Sequence, residues 1–154
     1  MTLPNKSDIR NFCLNHVDAM IAEYEGSILE LQKGMFEETK SSAGDKYETS
    51  RTQFQREIER LKTQISSVHT TKATLLILND APSVTASEGS LLLISLGTTR
   101  MMIYIGAALG NLKYHGQSIQ IISAQSPLAI AMKGKTQGSE ISFNQKKYKI
   151  ELLA

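Results

Sequence analysis

Between Val17 and Val68, apolar residues recur in alternating steps of four and three, and the pattern breaks once, at Ser41-Ser42-Ala43-Gly44. Before the break stand Val17, Ile21, Tyr24, Ile28, Leu31 and Met35; after it stand Phe54, Ile58, Leu61, Ile65 and Val68, flanked by Tyr47 and Leu75. Such spacing keeps one narrow stripe on one side of a helix. The residues between include Glu30, Lys33, Arg56, Glu57, Glu59, Arg60 and Lys62, which belong in water. A helix this lightly apolar cannot bury itself alone. Two of them on one chain, with no proline from Ile9 to Lys40, most simply pack against each other as an antiparallel hairpin. Serine disfavours a helix interior and Gly44 admits the positive φ that ends one, so the turn is expected near Ser41–Lys46. Arms of some 30 residues would extend on the order of 45 Å. They would carry the turn away from any small domain.

The periodicity changes after Asn79–Pro82. Asp80–Gly89 reads as a linker between a hairpin over 1–79 and a second domain over 90–154. Leu91–Leu96 and Met101–Ile105 are short apolar runs, and Ser118–Ser123 alternates polar with Ile119 and Ile121. Ile141 and Phe143, then Tyr148, Ile150 and Leu152, alternate across a turn at Asn144–Lys146. These are strands by length and alternation. Ser126–Lys133 predicts one short helix, with Ser126 as N-cap and Pro127 in its first position. The fold class is therefore α+β: a coiled-coil hairpin followed by a small β-rich domain.

Charge separates the halves. Residues 1–80 hold ten Lys/Arg against twelve Asp/Glu, and residues 81–154 hold seven against three. The resulting +4 of the second half is too weak to argue for nucleic-acid binding. With one cysteine, Cys13, no internal disulfide is possible. Met1–Arg10 has no apolar signal core and no segment is a membrane span, so a cytoplasmic protein is expected.

Four stretches of the second half occur together: Ile122-Ser123-Ala124-Gln125-Ser126-Pro127-Leu128, then Ala131-Met132-Lys133-Gly134-Lys135, Gly138-Ser139-Glu140-Ile141, and Tyr148-Lys149-Ile150. They resemble the signature of bacterial Gre transcript-cleavage factors, with Ala129 in place of the family's glycine and Ser139 in place of its usual aspartate. The resemblance implies an FKBP-like fold for the second domain and RNA polymerase as partner. Docking would involve Ser126, Pro127, Leu128, Lys133 and Lys135. It also implies a hairpin that enters the polymerase's secondary channel. There the family's Gly-Asp-x-x-Glu tip, here Gly44-Asp45-Lys46-Tyr47-Glu48, assists the polymerase's own catalytic magnesium. Asp45 and Glu48 would be the assisting carboxylates, and the chain would be no enzyme by itself. Magnesium does take one or two protein carboxylates and completes its shell from elsewhere. The same Asp-x-x-Glu spacing is also a capping box at a helix start. Thr49 stands where the family has asparagine, and Lys40, Lys46 and Arg51 bring positive charge that the family pattern does not ask for.

Other readings fit less of the chain. The tip stretch Glu37–Thr49 also resembles short Gre-like proteins labelled as 3-oxoacyl-(acyl carrier protein) synthases. An acyl-condensing enzyme, however, needs a pocketed cysteine with histidine partners on a much larger chain. Cys13 and His16 would share one face of a solvent-bathed helix and are expected to pack at the hairpin base. Ala129–Thr136 approaches a phosphate-binding loop but lacks its first glycine, and its helix precedes the Gly-Lys-Thr. His16, His69 and His115 have no zinc spacing. Lys133, Lys135, Lys146, Lys147 and Lys149 form a basic cluster, by default solvated. Beside cleavage stimulation stand three alternatives: a channel binder without cleavage, a self-associating coiled-coil module unrelated to transcription, and a prolyl isomerase. The third is disfavoured by only nine aromatic residues and no tryptophan.

Overall fold

A computed structural model of the chain describes residues 2–41 and 45–154, with side chains for 2–38 and 48–154. Two long helices come first, α1 (Lys6–Ser41) and α2 (Asp45–Leu76). Six strands and a third helix follow: β1 (Leu91–Leu96), β2 (Thr99–Ile105), β3 (Gly110–Tyr114), β4 (Gln117–Ile122), α3 (Pro127–Met132), β5 (Glu140–Phe143) and β6 (Lys146–Leu153). The expected α+β class and the helical hairpin are both present. The chain forms two compact units, one of Met1–Leu14 with Ala73–Ala154 and the other of Asn15–Lys72.

In the helical unit the partners run in opposite directions. Asp18 takes an ion pair from Lys72 at 2.7 Å, the Gly34 backbone lies against the Phe54 ring, and Ser50 reaches Glu38. As one residue number rises the other falls, which is the signature of an antiparallel pair. The stripe is what the helices share: Val17, Ile21, Ile58, Leu61 and Val68 are buried, and Tyr24, Ile28, Leu31, Met35, Phe54 and Ile65 are half-buried. Gly34 has a packing reason, because a Cβ there would sit 3.3 Å from Phe54.

The other unit is built on one mixed sheet in the order β3-β4-β2-β1-β6-β5, antiparallel except for the β2–β4 pair. Two-residue turns close the β3–β4 and β5–β6 hairpins at His115-Gly116 and Asn144-Gln145, all four residues with positive φ. That is the turn whose twist matches the strands. Strand β3, which sequence periodicity did not predict, is an edge strand with a single aliphatic residue, Leu112, so it carries almost no alternation signal.

Each face of the sheet has its own cover. Leu92, Ile94, Ile103, Ile105, Ile141 and Ile150 pack with Ala129 and Met132 of α3 and with Ala86. On the other face Leu91, Leu93, Met102, Tyr104, Ile119 and Ile121 are buried, as are Ile9 and Cys13 of α1 and Leu75 and Leu78 at and beyond the end of α2. Phe12 sets its ring edge-on to Tyr114 at 5.2 Å. A Cβ on Gly106 would meet both Leu78 and the Tyr104 ring at 3.0 Å, so that position needs glycine for close approach.

Residues 80–89, read from sequence as a linker, are tied at several points. Arg10 holds Asp80 through two parallel bonds of 2.9 and 2.6 Å. The pair keeps the Asp80 carboxyl below its usual range, chiefly through the hydrogen bond. Lys6 is buried and donates through Nζ to the Ala81 carbonyl at 2.7 Å; burial pulls its pKa down against the opposing pull of Asp80. Ala86 exchanges backbone bonds with Gly134 and Lys135.

Candidate functional site

The residues from Ser126 to Lys135 form a framed helix. Ser126 is its N-cap, with an extended backbone, and its Oγ accepts from the Ala129 amide at 3.3 Å. Pro127 follows in the first turn, where a missing N–H is no loss. At the other end the Lys133 amide donates to the Ala129 and Ile130 carbonyls, and Gly134 leaves the helix at φ 78°. The Gly134 amide then donates to the Ala86 carbonyl at 2.8 Å and the Lys135 carbonyl accepts from the Ala86 amide at 2.8 Å. A bridge between Thr85 and Thr136 continues this pairing.

This geometry divides the five docking candidates by what they have left to offer. Ser126 is committed to its cap, and Leu128 packs against the core cluster of α3 and the sheet. Pro127, Lys133 and Lys135 are exposed, and beside them Ile130 exposes 61% of its surface. Sequence reading did not single out Ile130; its one signal was a large aliphatic residue out of phase with Ala129 and Met132. A cavity of about 110 Å³ opens beside Lys133, lined by Ser87, Glu88, Ile105, Ala124 and Ala129. The Gly134-Lys135-Thr136 loop is followed by strand β5 and not by a helix.

Of the basic cluster, Lys147 and Lys149 lie opposite Ser142 and Glu140 on β5, on the sheet face turned away from α3. Lys146 pairs with Phe143 beside the turn. The five lysines therefore do not form one patch.

At the far end of the hairpin α1 stops at Ser41 and α2 begins at Asp45. The side chains of Asp45, Lys46 and Tyr47, and Gly44 with the turn expected around it, lie outside the described residues. So does the capping arrangement expected of Asp45. Glu48 is described: it stands exposed in the first turn of α2, and its carbonyl accepts from the Thr52 hydroxyl at 2.9 Å. Glu37 is exposed and Glu38 half-buried near the end of α1, so acidic groups from both helices gather at this end.

Cys13 is packed, as expected of a residue at the hairpin base. The thiol is wholly buried against the sheet, and burial pushes its pKa up to about 12. A thiol held neutral in this way is a poor nucleophile. His16, three residues on, is half-buried. Beside Cys13, the phenol of Tyr104 is also pushed upward by burial, and its hydroxyl has no hydrogen-bond partner among the described residues. No group of three metal-ligating side chains occurs among the described residues, and none of the described helices is long and apolar enough to cross a membrane.

No protein-family model and no curated protein matches the chain. Among solved structures it is similar to the GreA factor homolog 1 (Gfh1) protein of Thermus thermophilus, at 16% identity and a TM-score of 0.38, over 92% of this chain and 94% of the other. A second structure of the transcription factor Gfh1 matches at 16% identity and a TM-score of 0.37, over 91% and 92%. Gfh1 of Thermus aquaticus matches at 15% identity and a TM-score of 0.36, over 90% and 92%.

Proposed function

We propose that this protein is a Gre-like elongation factor that binds RNA polymerase through the secondary channel and stimulates cleavage of backtracked RNA. The observation that carries the reading is the pairing, in one chain, of a two-helix hairpin that exposes Glu48 in the first turn of α2 with a domain whose signature residues frame α3. Pro127, Lys133 and Lys135 would meet the polymerase, and Ser126 and Leu128 would hold the helix that presents them. At the hairpin end Glu48 offers an exposed carboxylate, and Asp45 supplies the second by its place in the motif. Carboxylate oxygens suit a magnesium ion, which would lower the pKa of a bound water and stabilise charge on the phosphate in flight. Two carboxylates cannot complete its shell. The remaining ligands would come from the polymerase and the RNA, and the chain would have no catalytic centre of its own.

The test is transcript cleavage in stalled elongation complexes, comparing the wild type with Asp45→Ala/Glu48→Ala. We expect binding to persist and cleavage to fall by about a hundredfold or more, the scale of a lost charge-stabilising group. Equal cleavage by both proteins would refute the tip assignment. Failure to co-purify polymerase would refute the proposal as a whole. Lys40, Lys46 and the exposed Arg51 favour one second reading, occupancy of the channel without cleavage. Inhibited nucleotide addition with no new RNA ends would select it.

A further inference from the structure

The segment from Ala86 to Ser90 is held at both ends. Ala86 exchanges backbone bonds of 2.8 Å with Gly134 and Lys135, and the Gly89 amide donates to the Ile105 carbonyl at 2.6 Å. Between those ties the Ser87 amide donates to the Ser90 hydroxyl and the Ser90 amide to the Ser87 carbonyl, both at 3.0 Å. Glu88 and Lys133 therefore line the cavity of about 110 Å³ from backbones fixed in advance. Its apolar wall is Ile105, Ala124 and Ala129, and the two alanines leave space that longer side chains would fill. Glu88 and Lys133 are both exposed, yet no ion pair joins them among the described residues. Neither side chain, nor the Ser87 hydroxyl, has a hydrogen bond there. One water needs about 10–15 Å³ of such space, and drug-sized ligands occupy about 300–1,000 Å³. The cavity is too large for a single water and too small for a nucleotide.

We propose that this cavity binds a free aliphatic α-amino acid, with its ammonium at Glu88, its carboxylate at Lys133 and its side chain against Ile105, Ala124 and Ala129. The charges select the class. A simple anion meets repulsion from Glu88 and a simple cation from Lys133, whereas a zwitterion satisfies both. A free amino acid carries its two charges on one carbon, so both fit in a space this small. The tied backbone on either side lowers the ordering cost of binding. The inference uses only the domain that holds the sheet and stands independently of any polymerase.

The test is a heteronuclear magnetic-resonance titration of the full chain with leucine, N-acetyl-leucine and leucinamide. Leucine is expected to shift the amides of Ser87, Glu88, Ile105 and Ala124 saturably. It should bind about tenfold more tightly than either derivative, since each lacks one charge. Glu88→Gln should weaken leucine about tenfold and leave N-acetyl-leucine unchanged, and Lys133→Gln should weaken leucine alike and leave leucinamide unchanged. Ala124→Ile should abolish binding by filling the cavity, with circular dichroism confirming the fold. Absence of a saturable shift with leucine overturns the proposal. So do equal affinities for the three compounds, binding indifferent to both charge variants, or a folded Ala124→Ile that binds as before.

Discussion

Replacing Tyr104 by phenylalanine should stabilise the protein, although it deletes a polar group from a strand at the centre of the sheet. Tyr104 is 0% exposed, and its hydroxyl finds no acceptor or donor among the described residues. Burying a hydroxyl without a hydrogen bond costs about 1–3 kcal/mol in protein mutational data. Removing the oxygen returns that cost. Against it stands the void left by one oxygen atom, about 0.3 kcal/mol at ~24 cal/mol per Å³. The net expectation is a gain of about 1–2 kcal/mol, or a rise of about 3–6 °C in melting temperature for a chain of this length. The ring itself is retained, so its packing beneath Gly106 and beside Leu78 is untouched. Urea unfolding followed by circular dichroism measures the gain directly, with the slope expected to stay at the wild-type value. Loss of more than about 1 kcal/mol in Tyr104→Phe would refute the reasoning, because only a satisfied hydroxyl is missed on that scale.

Two further outcomes follow from buried and constrained positions. Cys13 ionises near 9.0 when free and near 12 in the folded protein. Its contribution to stability is therefore complete below pH 9 and lost as pH rises toward 12, at up to about 1.4 kcal/mol per pH unit. Cys13→Ala should flatten that alkaline limb, and an unchanged limb would refute the assignment. Gly134→Ala forces a Cβ into φ 78° with open space around it, so the cost is backbone strain alone, about 1–2 kcal/mol. Thermal unfolding measures it; a neutral substitution would show that the end of α3 has another conformation available.

Much of the fold was legible because the signals were local. Four-three spacing specified the two long helices, and the stripe it drew is the one now buried. Ser126 and Pro127 marked the start of α3. Asn144-Gln145 closes the hairpin that alternation around it foretold. Strand β3 was missed because an edge strand with one aliphatic residue has little to alternate, and its one cue was the His115-Gly116 turn. The candidate site was legible in part. Ser126, expected as the N-cap of α3, caps it, while Ile130, unremarked in the sequence, stands out into solvent.

What the chain settled by itself were the long helices, α3 and the strands that alternate clearly: periodicity, caps and turn residues act within a few positions and need no distant partner. The tertiary structure alone decided which of those elements meet. It set β4 parallel beside β2, tied residues 80–86 to Lys6, Arg10 and the end of α3, and closed the sheet over Cys13 and Tyr104. Burial is a property of neighbours far away in sequence. A thiol on an amphipathic helix looks the same in the chain whether water or a sheet lies opposite it, and only the packed sheet lifts its pKa and leaves the hydroxyl beside it without a partner among the described residues.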